Sequence, residues 1–483
     1  MDRIKVGLEV HCQLTSLRTK LFCGCSSDYR SKESNSLVCP VCLGLPGSLP
    51  VFNKKALDYA IIIGLALNCK ISERFVFYRK NYYYPDLPKN FQISQWDRAG
   101  GVPLAAEGHV DINVDHKNKD IRIRKVHLEE DPAKIVYAGS ISTSPYALID
   151  YNRSGVALTE VVTEPDMSSP AEARLFLDKL RSILEHLGVC DGGLEGAMRC
   201  DANVSLAGGQ RVEIKNISSH KEVERALNFE ILRQRNLIAN GQKVEMETRH
   251  WDEVRRVTIS LRTKETEQDY RYFPEPDLVP IIISDEQISY LKDRMPELPD
   301  ARRDRFVKQY GLPEYGSSVL TSSKSLADFF EACVKLYPNS KIISNWIITD
   351  YLRALHDFDI EVEDAKLSPT YLIDMIKLID DGTISGKIAK SVLPKMIEFG
   401  RSPLEIVKEA GLTRIASNDA IEQAADKVFK EYPKAVQDAL VDERAVNYLV
   451  GQLMKLTAGR ADPKLANQIV KQKLSKAKKD SIR

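Results

Sequence analysis

No stretch of this sequence approaches the ~20 consecutive apolar residues that a membrane-spanning helix needs, so no membrane partner is expected. Charge of one sign is equally absent: 69 Lys plus Arg stand against 68 Asp plus Glu in 483 residues. That balance excludes a histone-like binder and an acidic tail protein, and any contact with a polyanion must come from a local patch. Nine cysteines, odd in number and unevenly spread, do not make a disulfide framework. Behind Met1-Asp2-Arg3-Ile4-Lys5 there is no apolar signal-peptide region, and a cytoplasmic protein is expected. Several familiar catalytic devices are missing too. Gly382-Thr383-Ile384-Ser385-Gly386-Lys387-Ile388 is one residue short of a phosphate loop and has Ile388 where a Mg²⁺-binding Ser or Thr belongs, so it reads as a helix N-cap. Neither a Gly-x-Ser-x-Gly elbow nor a Rossmann fingerprint occurs, and there is no internal repeat.

What is present begins with the cysteines. Cys23-Gly24-Cys25 and Cys39-Pro40-Val41-Cys42 form two tight pairs across a polar loop. Four soft thiolates at that spacing suit Zn²⁺ in a closed, structural site; four unrelated cysteines are the alternative. Cys12, Cys69, Cys190, Cys200 and Cys333 sit in apolar surroundings and read as buried small hydrophobes.

A chain of this length exceeds one ordinary core, and two or three domains are expected. Up to about residue 290 it reads as a mixture of strands (4–14, 109–116, 120–127, 211–216, 256–262) and helices (56–67, 170–187, 221–239). From residue 284 on, nearly every segment has helical periodicity: 285–294, 299–310, 325–336, 342–355, 368–380, 385–399, 402–410, 418–430, 432–440, 443–456 and 463–474. The expected fold is therefore α+β, a large mixed α/β domain over 1–290 holding the zinc knuckle 23–42, a helical domain over 291–410, and a small helical tail over 411–483.

Acids and histidines recur in the first region. Glu9 and His11 project from one face of a strand, His127 and Glu129 from one face of another, and Glu160 lies on a third. Were these strands neighbours, the groups would form a Mg²⁺ or Mn²⁺ site; solvated acids on polar strand faces are the alternative. Tyr78-Arg79-Lys80-Asn81-Tyr82-Tyr83-Tyr84 could line a nucleotide or tRNA-end pocket, or be an ordinary Tyr-rich edge strand. Arg153, in a turn, offers a planar fork for phosphate or carboxylate, or a surface salt bridge. Lys464, Lys471, Lys473, Lys476, Lys478, Lys479 and Arg483 make a basic terminus that could pair with RNA phosphates or simply be solvated.

Longer strings then carry a resemblance. Val6-Gly7-Leu8-Glu9-Val10-His11, the Cys39-Pro40-Val41-Cys42-Leu43-Gly44-Leu45-Pro46-Gly47 knuckle, Lys80-Asn81-Tyr82-Tyr83-Tyr84-Pro85-Asp86-Leu87-Pro88-Lys89, His127-Leu128-Glu129-Glu130-Asp131, Leu148-Ile149-Asp150-Tyr151-Asn152-Arg153, Met198-Arg199-Cys200-Asp201-Ala202-Asn203-Val204-Ser205, Glu213-Ile214-Lys215-Asn216 and Asp269-Tyr270-Arg271-Tyr272-Phe273-Pro274-Glu275-Pro276-Asp277 occur in one order. Together they resemble the GatB family of the tRNA-dependent amidotransferases that make Asn-tRNA or Gln-tRNA, over nearly the whole chain and including a YqeY-type tail. The resemblance implies a catalytic cradle that uses ATP and Mg²⁺ (or Mn²⁺) to phosphorylate the side-chain carboxylate of Glu-tRNA(Gln) or Asp-tRNA(Asn), after which ammonia displaces phosphate. A carboxylate resists ammonia until its oxygen becomes a phosphate leaving group, which dictates that order.

By position, the resemblance makes His11, Glu129 and Glu9 the metal ligands, with Glu9 and Glu160 as acids completing that site or its surroundings. It places Lys80 and Tyr82 near the activated carboxylate and the end of an ammonia channel, and Arg153 and Lys215 at the nucleotide or its phosphates. Cys23, Cys25, Cys39 and Cys42 match a zinc site found in some members. The terminal lysines Lys471, Lys473, Lys476, Lys478 and Lys479 match a tail that embraces tRNA. Expected partners are an amidase-type A subunit that liberates ammonia, a small C subunit, misacylated tRNA and, as a further candidate, the non-discriminating aminoacyl-tRNA synthetase. Departures from the family pattern are Ala157 for Pro, Pro132-Ala133 for Ala-Gly, and one acid in Leu194-Glu195 where two are usual. A zinc-bearing tRNA-binding or synthetase-like factor without amidation is the competing reading, although neither His-Ile-Gly-His nor Lys-Met-Ser-Lys-Ser is found.

Overall fold

A computed structural model describes residues 3–480 apart from 99, 116, 140–143, 207–208, 264–269, 413–417, 443 and 458–459. His116, Asp269, Arg483 and residues 413–417 near the start of the expected tail therefore lie outside the described residues, as do the side chains of Lys478 and Lys479. The chain divides into two compact units: Met1–Arg302 with Ser322–Lys324, and Arg303–Thr321 with Ser325–Arg483.

The first unit is built on the strand Lys5–Gln13. Val6, Leu8, Val10 and Cys12 are buried on one face, and the period of two throws Glu9, His11 and Gln13 onto the other. This strand lies in the middle of a nine-stranded sheet, in the order Val257–Thr263, Glu247–Asp252, Val212–Ile217, Met198–Ser205, Lys5–Gln13, Ala157–Thr163, Lys117–Glu130, Ala105–Val114 and Lys70–Ile71. Every pairing is antiparallel except that of Val212–Ile217 with Glu247–Asp252, which the helix His220–Ala239 connects.

Helices Lys54–Ala66, Pro170–Leu187 and His220–Ala239 bury the apolar face of the sheet in one continuous core. Their ends follow from sequence. Ser169 accepts a hydrogen bond from the Glu172 amide while the Glu172 carboxylate accepts from the Ser168 amide, Pro170 occupies the first turn, and Gly188 at φ 70° ends the helix. The opposite face of the sheet keeps its polar residues and is the surface on which the site is assembled. A smaller three-stranded sheet, Phe273–Pro274, Tyr78–Asn81 and Phe91–Ser94, contributes side chains to it.

The second unit is helical, as expected, with two hydrophobic clusters. One joins Phe306, Phe330, Tyr351, Leu372, Ile388 and Val407, and the other joins Ile421, Val428, Leu449, Leu453 and Val470. Ser385 accepts from the Ile388 amide at the start of Gly386–Phe399, so the incomplete phosphate loop is indeed a helix cap. Among the described residues no helix is long and apolar enough to cross a membrane. All nine cysteines are free thiols, and Cys12, Cys69, Cys190, Cys200 and Cys333 are buried.

Candidate metal centre and its surroundings

Three adjacent strands bring the predicted acids and histidines together. His11 stands opposite Glu160, and Glu160 stands opposite His127, so these three side chains form a row across the polar face. Glu9 extends the row on the strand of His11, and Glu129 on that of His127. Ligand atoms of Glu9, His11 and Glu160 lie within 4.8 Å of one another, and so do those of His127, Glu129 and Glu160. Glu160 is common to both groups. The set named from resemblance, Glu9, His11 and Glu129, is thus shared between two groups rather than gathered in one.

Electrostatics separate these carboxyl groups. Burial, with the Glu160 charge beside it, pushes Glu9 up to about 8, while Lys215 works in the opposite direction. Burial also opposes ionisation of Glu160, but a hydrogen bond from His127 (Nδ1 to Oε2 3.1 Å), together with Lys125 and both histidines, holds it well below the usual carboxylate range. Three carboxylates and two imidazoles are a hard, oxygen-rich donor set that fits Mg²⁺ or Mn²⁺. The buried Nε2 of His127 has no hydrogen-bond partner among the described residues, which is consistent with a site that receives a ligand.

The three-stranded sheet fastens Glu129. Ser94 Oγ donates to Glu129 Oε1, and Gln92 Nε2 donates to Oε2 at 3.2 Å. Gln92 also accepts from the Tyr82 hydroxyl at 3.5 Å, which links Tyr82 to the row. Lys80 Nζ lies 5.0 Å from the ring centre of Tyr270 and 5.7 Å from that of Tyr82, in cation–π range. At the other end Lys215 Nζ meets Asp201 at 2.7 Å, and Asp201 stands opposite Glu9. Arg153 is not brought to the row. Its fork donates to the carbonyls of Pro132 and Ala133, at 2.9 and 2.8 Å, and fastens the loop after the acidic triplet Glu129-Glu130-Asp131. Lys471 and Lys476 are exposed on the last helix, and Lys473 on the same helix pairs with Asp426 at 2.7 Å.

Beyond Glu9 and Glu160 the polar face opens into a cavity of about 450 Å³ whose lining includes Lys5, Arg98, Arg124, Lys125 and Arg211. Glu164 lines it too, and Arg124 and Lys125 pair with Asp97 at 3.3 and 3.5 Å; carboxylates and five cations around one cavity would complement a metal-bound polyphosphate. The sulfur atoms of Cys23, Cys25, Cys39 and Cys42 also lie within 4.8 Å of one another, as a tetrathiolate zinc site requires.

Residues 4–289 match the family model described as the GatB/GatE catalytic domain, and 328–474 match that described as the GatB domain. The chain is 53% identical over 472 residues to the B subunit of the aspartyl/glutamyl-tRNA(Asn/Gln) amidotransferase of Saccharolobus solfataricus, covering 98% of this chain and 99% of the relative. The chain belongs to the GatB family. Members named in the same way from Carboxydothermus hydrogenoformans (49% identical; 98% of each chain) and Thermotoga maritima (48%; 97% of this chain, 98% of the relative) are similar over the same extent.

Some contributors to this GatB-family site escaped sequence reasoning. Asp131, fully buried, accepts from Arg199 and Gln13, both at 2.6 Å, and so fixes the strand ends beside the row. Lys89 pairs with Glu130, and Arg79 forks onto Glu275 at 2.7 and 2.8 Å. Gly44 in the zinc knuckle makes room for the Lys89 stem, which a Cβ at that position, with φ +65°, would overlap. Their only sequence signal was membership of the quoted strings.

Proposed function

We propose that this chain is the GatB component of a cytoplasmic, ATP-dependent tRNA amidotransferase, a ligase that forms Gln-tRNA(Gln), Asn-tRNA(Asn) or both from the misacylated precursors. Its family membership supports the reaction. The observation that carries the reading is the row Glu9, His11, Glu160, His127 and Glu129, two of whose carboxylates, Glu9 and Glu160, line a cavity shared with five cations.

In this reading Glu9, His11, Glu129 and Glu160 hold Mg²⁺ or Mn²⁺, with His127 orienting Glu160. The bound ion supplies charge neutralisation for phosphoryl transfer. Lys5, Arg98, Arg124, Lys125 and Arg211 bind the phosphates of ATP, with Lys215 holding Asp201 and tempering the charge near Glu9. An oxygen of the Glu or Asp side-chain carboxylate attacks the γ-phosphorus and ADP departs. Ammonia then attacks the acyl carbon, and phosphate leaves with that oxygen. Lys80 and Tyr82, tied to Glu129 through Gln92, orient the acyl phosphate and the arriving ammonia. Arg153 keeps the loop after the acidic triplet in place instead of touching phosphate.

Nothing in the described site resembles a glutaminase, so ammonia comes from an amidase-type A subunit, with a small C subunit as the bridge. The last helix, with exposed Lys471 and Lys476, contacts tRNA phosphates as part of a tail beginning near residue 411. Four cysteines hold a structural Zn²⁺. The test is to reconstitute the complex with each mischarged tRNA, glutamine, Mg²⁺ and ATP. Amide-bearing aminoacyl-tRNA should form only with ATP present, and no amide product from either tRNA would overturn the reading.

A further inference from the structure

Lys20 is among the largest fully buried side chains of the protein, with no surface exposure. Its ammonium meets the Leu37 carbonyl at 2.9 Å and the Cys42 sulfur at 3.6 Å, and among the described residues it forms no ion pair with a carboxylate. A buried ammonium satisfied by one carbonyl leaves most of its desolvation cost uncompensated. Persistence of such a group points to a counter-charge, and among the described residues the group of suitable chemistry that its ammonium meets is the Cys42 sulfur.

Geometry ties Lys20 to both halves of the knuckle. Its backbone amide donates to the Cys25 carbonyl at 2.9 Å, while its side chain reaches Cys42. Gly155, whose φ of +85° favours glycine, packs beside both residues: a Cβ there would stand at ordinary contact distance, 3.5 Å from Cys42 Cβ and 3.6 Å from Lys20 Cδ, with Glu130 Oε2 at 3.8 Å. Four thiolates around one dication leave an excess of negative charge at the centre.

We propose that Lys20 is the charge-compensating residue of the zinc knuckle, its buried ammonium offsetting the surplus negative charge of the tetrathiolate centre and fixing Cys42 as a ligand. This rests on the zinc reading of the four cysteines. It makes Lys20 a positioning residue, not a catalytic one.

The test uses the full-length chain loaded with Zn²⁺, metal content measured first, followed by competition with a chromophoric zinc chelator. Wild type should retain one Zn²⁺ per chain, and its absence would overturn the zinc reading and this inference together. With zinc bound, Lys20→Met should lower zinc affinity by about tenfold or more, and Lys20→Arg by no more than about threefold. In a Cys42→His background, where a neutral imidazole replaces one thiolate, the loss caused by Lys20→Met should shrink, a non-additivity that mere packing would not produce. Should Lys20→Met fail to fold by circular dichroism, Lys20→Gln decides by the same readout. Zinc affinity within about twofold of wild type in the folded variant would overturn the role of Lys20 while leaving the zinc site standing.

Discussion

His127 and Glu160 face each other on neighbouring strands, Nδ1 to Oε2 at 3.1 Å, both of them buried. The contact keeps Glu160 ionised and aims it along the row, where it belongs to both candidate ligand groups. Glu160→Gln should therefore weaken Mn²⁺ binding, followed by electron paramagnetic resonance, by at least about tenfold, and lower ATP-dependent amide formation by about 100-fold. Wild-type Mn²⁺ affinity in that variant would remove Glu160 from the centre.

Asp131 has no surface exposure and accepts from Gln13 and Arg199, with Arg153 3.8 Å away. Asp131→Asn leaves two guanidinium groups facing a neutral amide. Arg199 is about a third exposed, which lowers the penalty through solvent screening. A loss of about 2–3 kcal/mol in urea stability of the first unit is expected. A change below about 0.5 kcal/mol would show the network to be dispensable.

Glu172 joins the capping box to Lys119 at 2.6 Å, and its carboxyl lies below its ordinary value: burial raises it, and hydrogen bonds from Lys119 and Ser168 outweigh that. A carboxyl depressed in the folded state contributes stability above its unfolded pKa of about 4.3 and loses it as pH falls through the lower folded value. Glu172→Gln should thus speed hydrogen exchange at the Ser168 amide near pH 7, equivalent to about 1 kcal/mol, and differ little from wild type near pH 2–3. An equal effect at both pH values would show that charge is not the cause.

Removing zinc tests the knuckle. A strong chelator should lower the unfolding temperature of the full chain by several degrees, reversed by Zn²⁺ but not by Mg²⁺, because binding free energy at such sites adds to folding free energy. An unfolding temperature indifferent to the chelator would contradict a structural role.

Local patterns carried much of this. The helix Pro170–Leu187 was legible because Pro170 suits a first turn and Ser169 a cap, and the structure ends it at Gly188. Alternation placed Glu9 with His11, and His127 with Glu129, because a period of two needs no tertiary information. Strand order was not legible: only the paired structure sets His11 opposite Glu160 and Glu160 opposite His127, and those pairings join residues far apart in sequence. The same distance hid Asp131 from Arg199 and Lys20 from Cys42. Arg153 shows a different limit, since a guanidinium in a turn has the same signature whether it meets phosphate or, as here, donates to two carbonyls.

The central claim is that the row of carboxylates and histidines holds the metal for carboxylate activation, and one comparison reaches it most directly. In the reconstituted complex, wild type, His11→Ala and Glu129→Ala are assayed for tRNA-dependent ADP release and for Gln-tRNA or Asn-tRNA, with glutaminase activity of the amidase-type partner as the control. Loss of both ADP release and amide product in each variant, with glutaminase intact, is predicted. Unchanged amide formation in both variants would contradict the account.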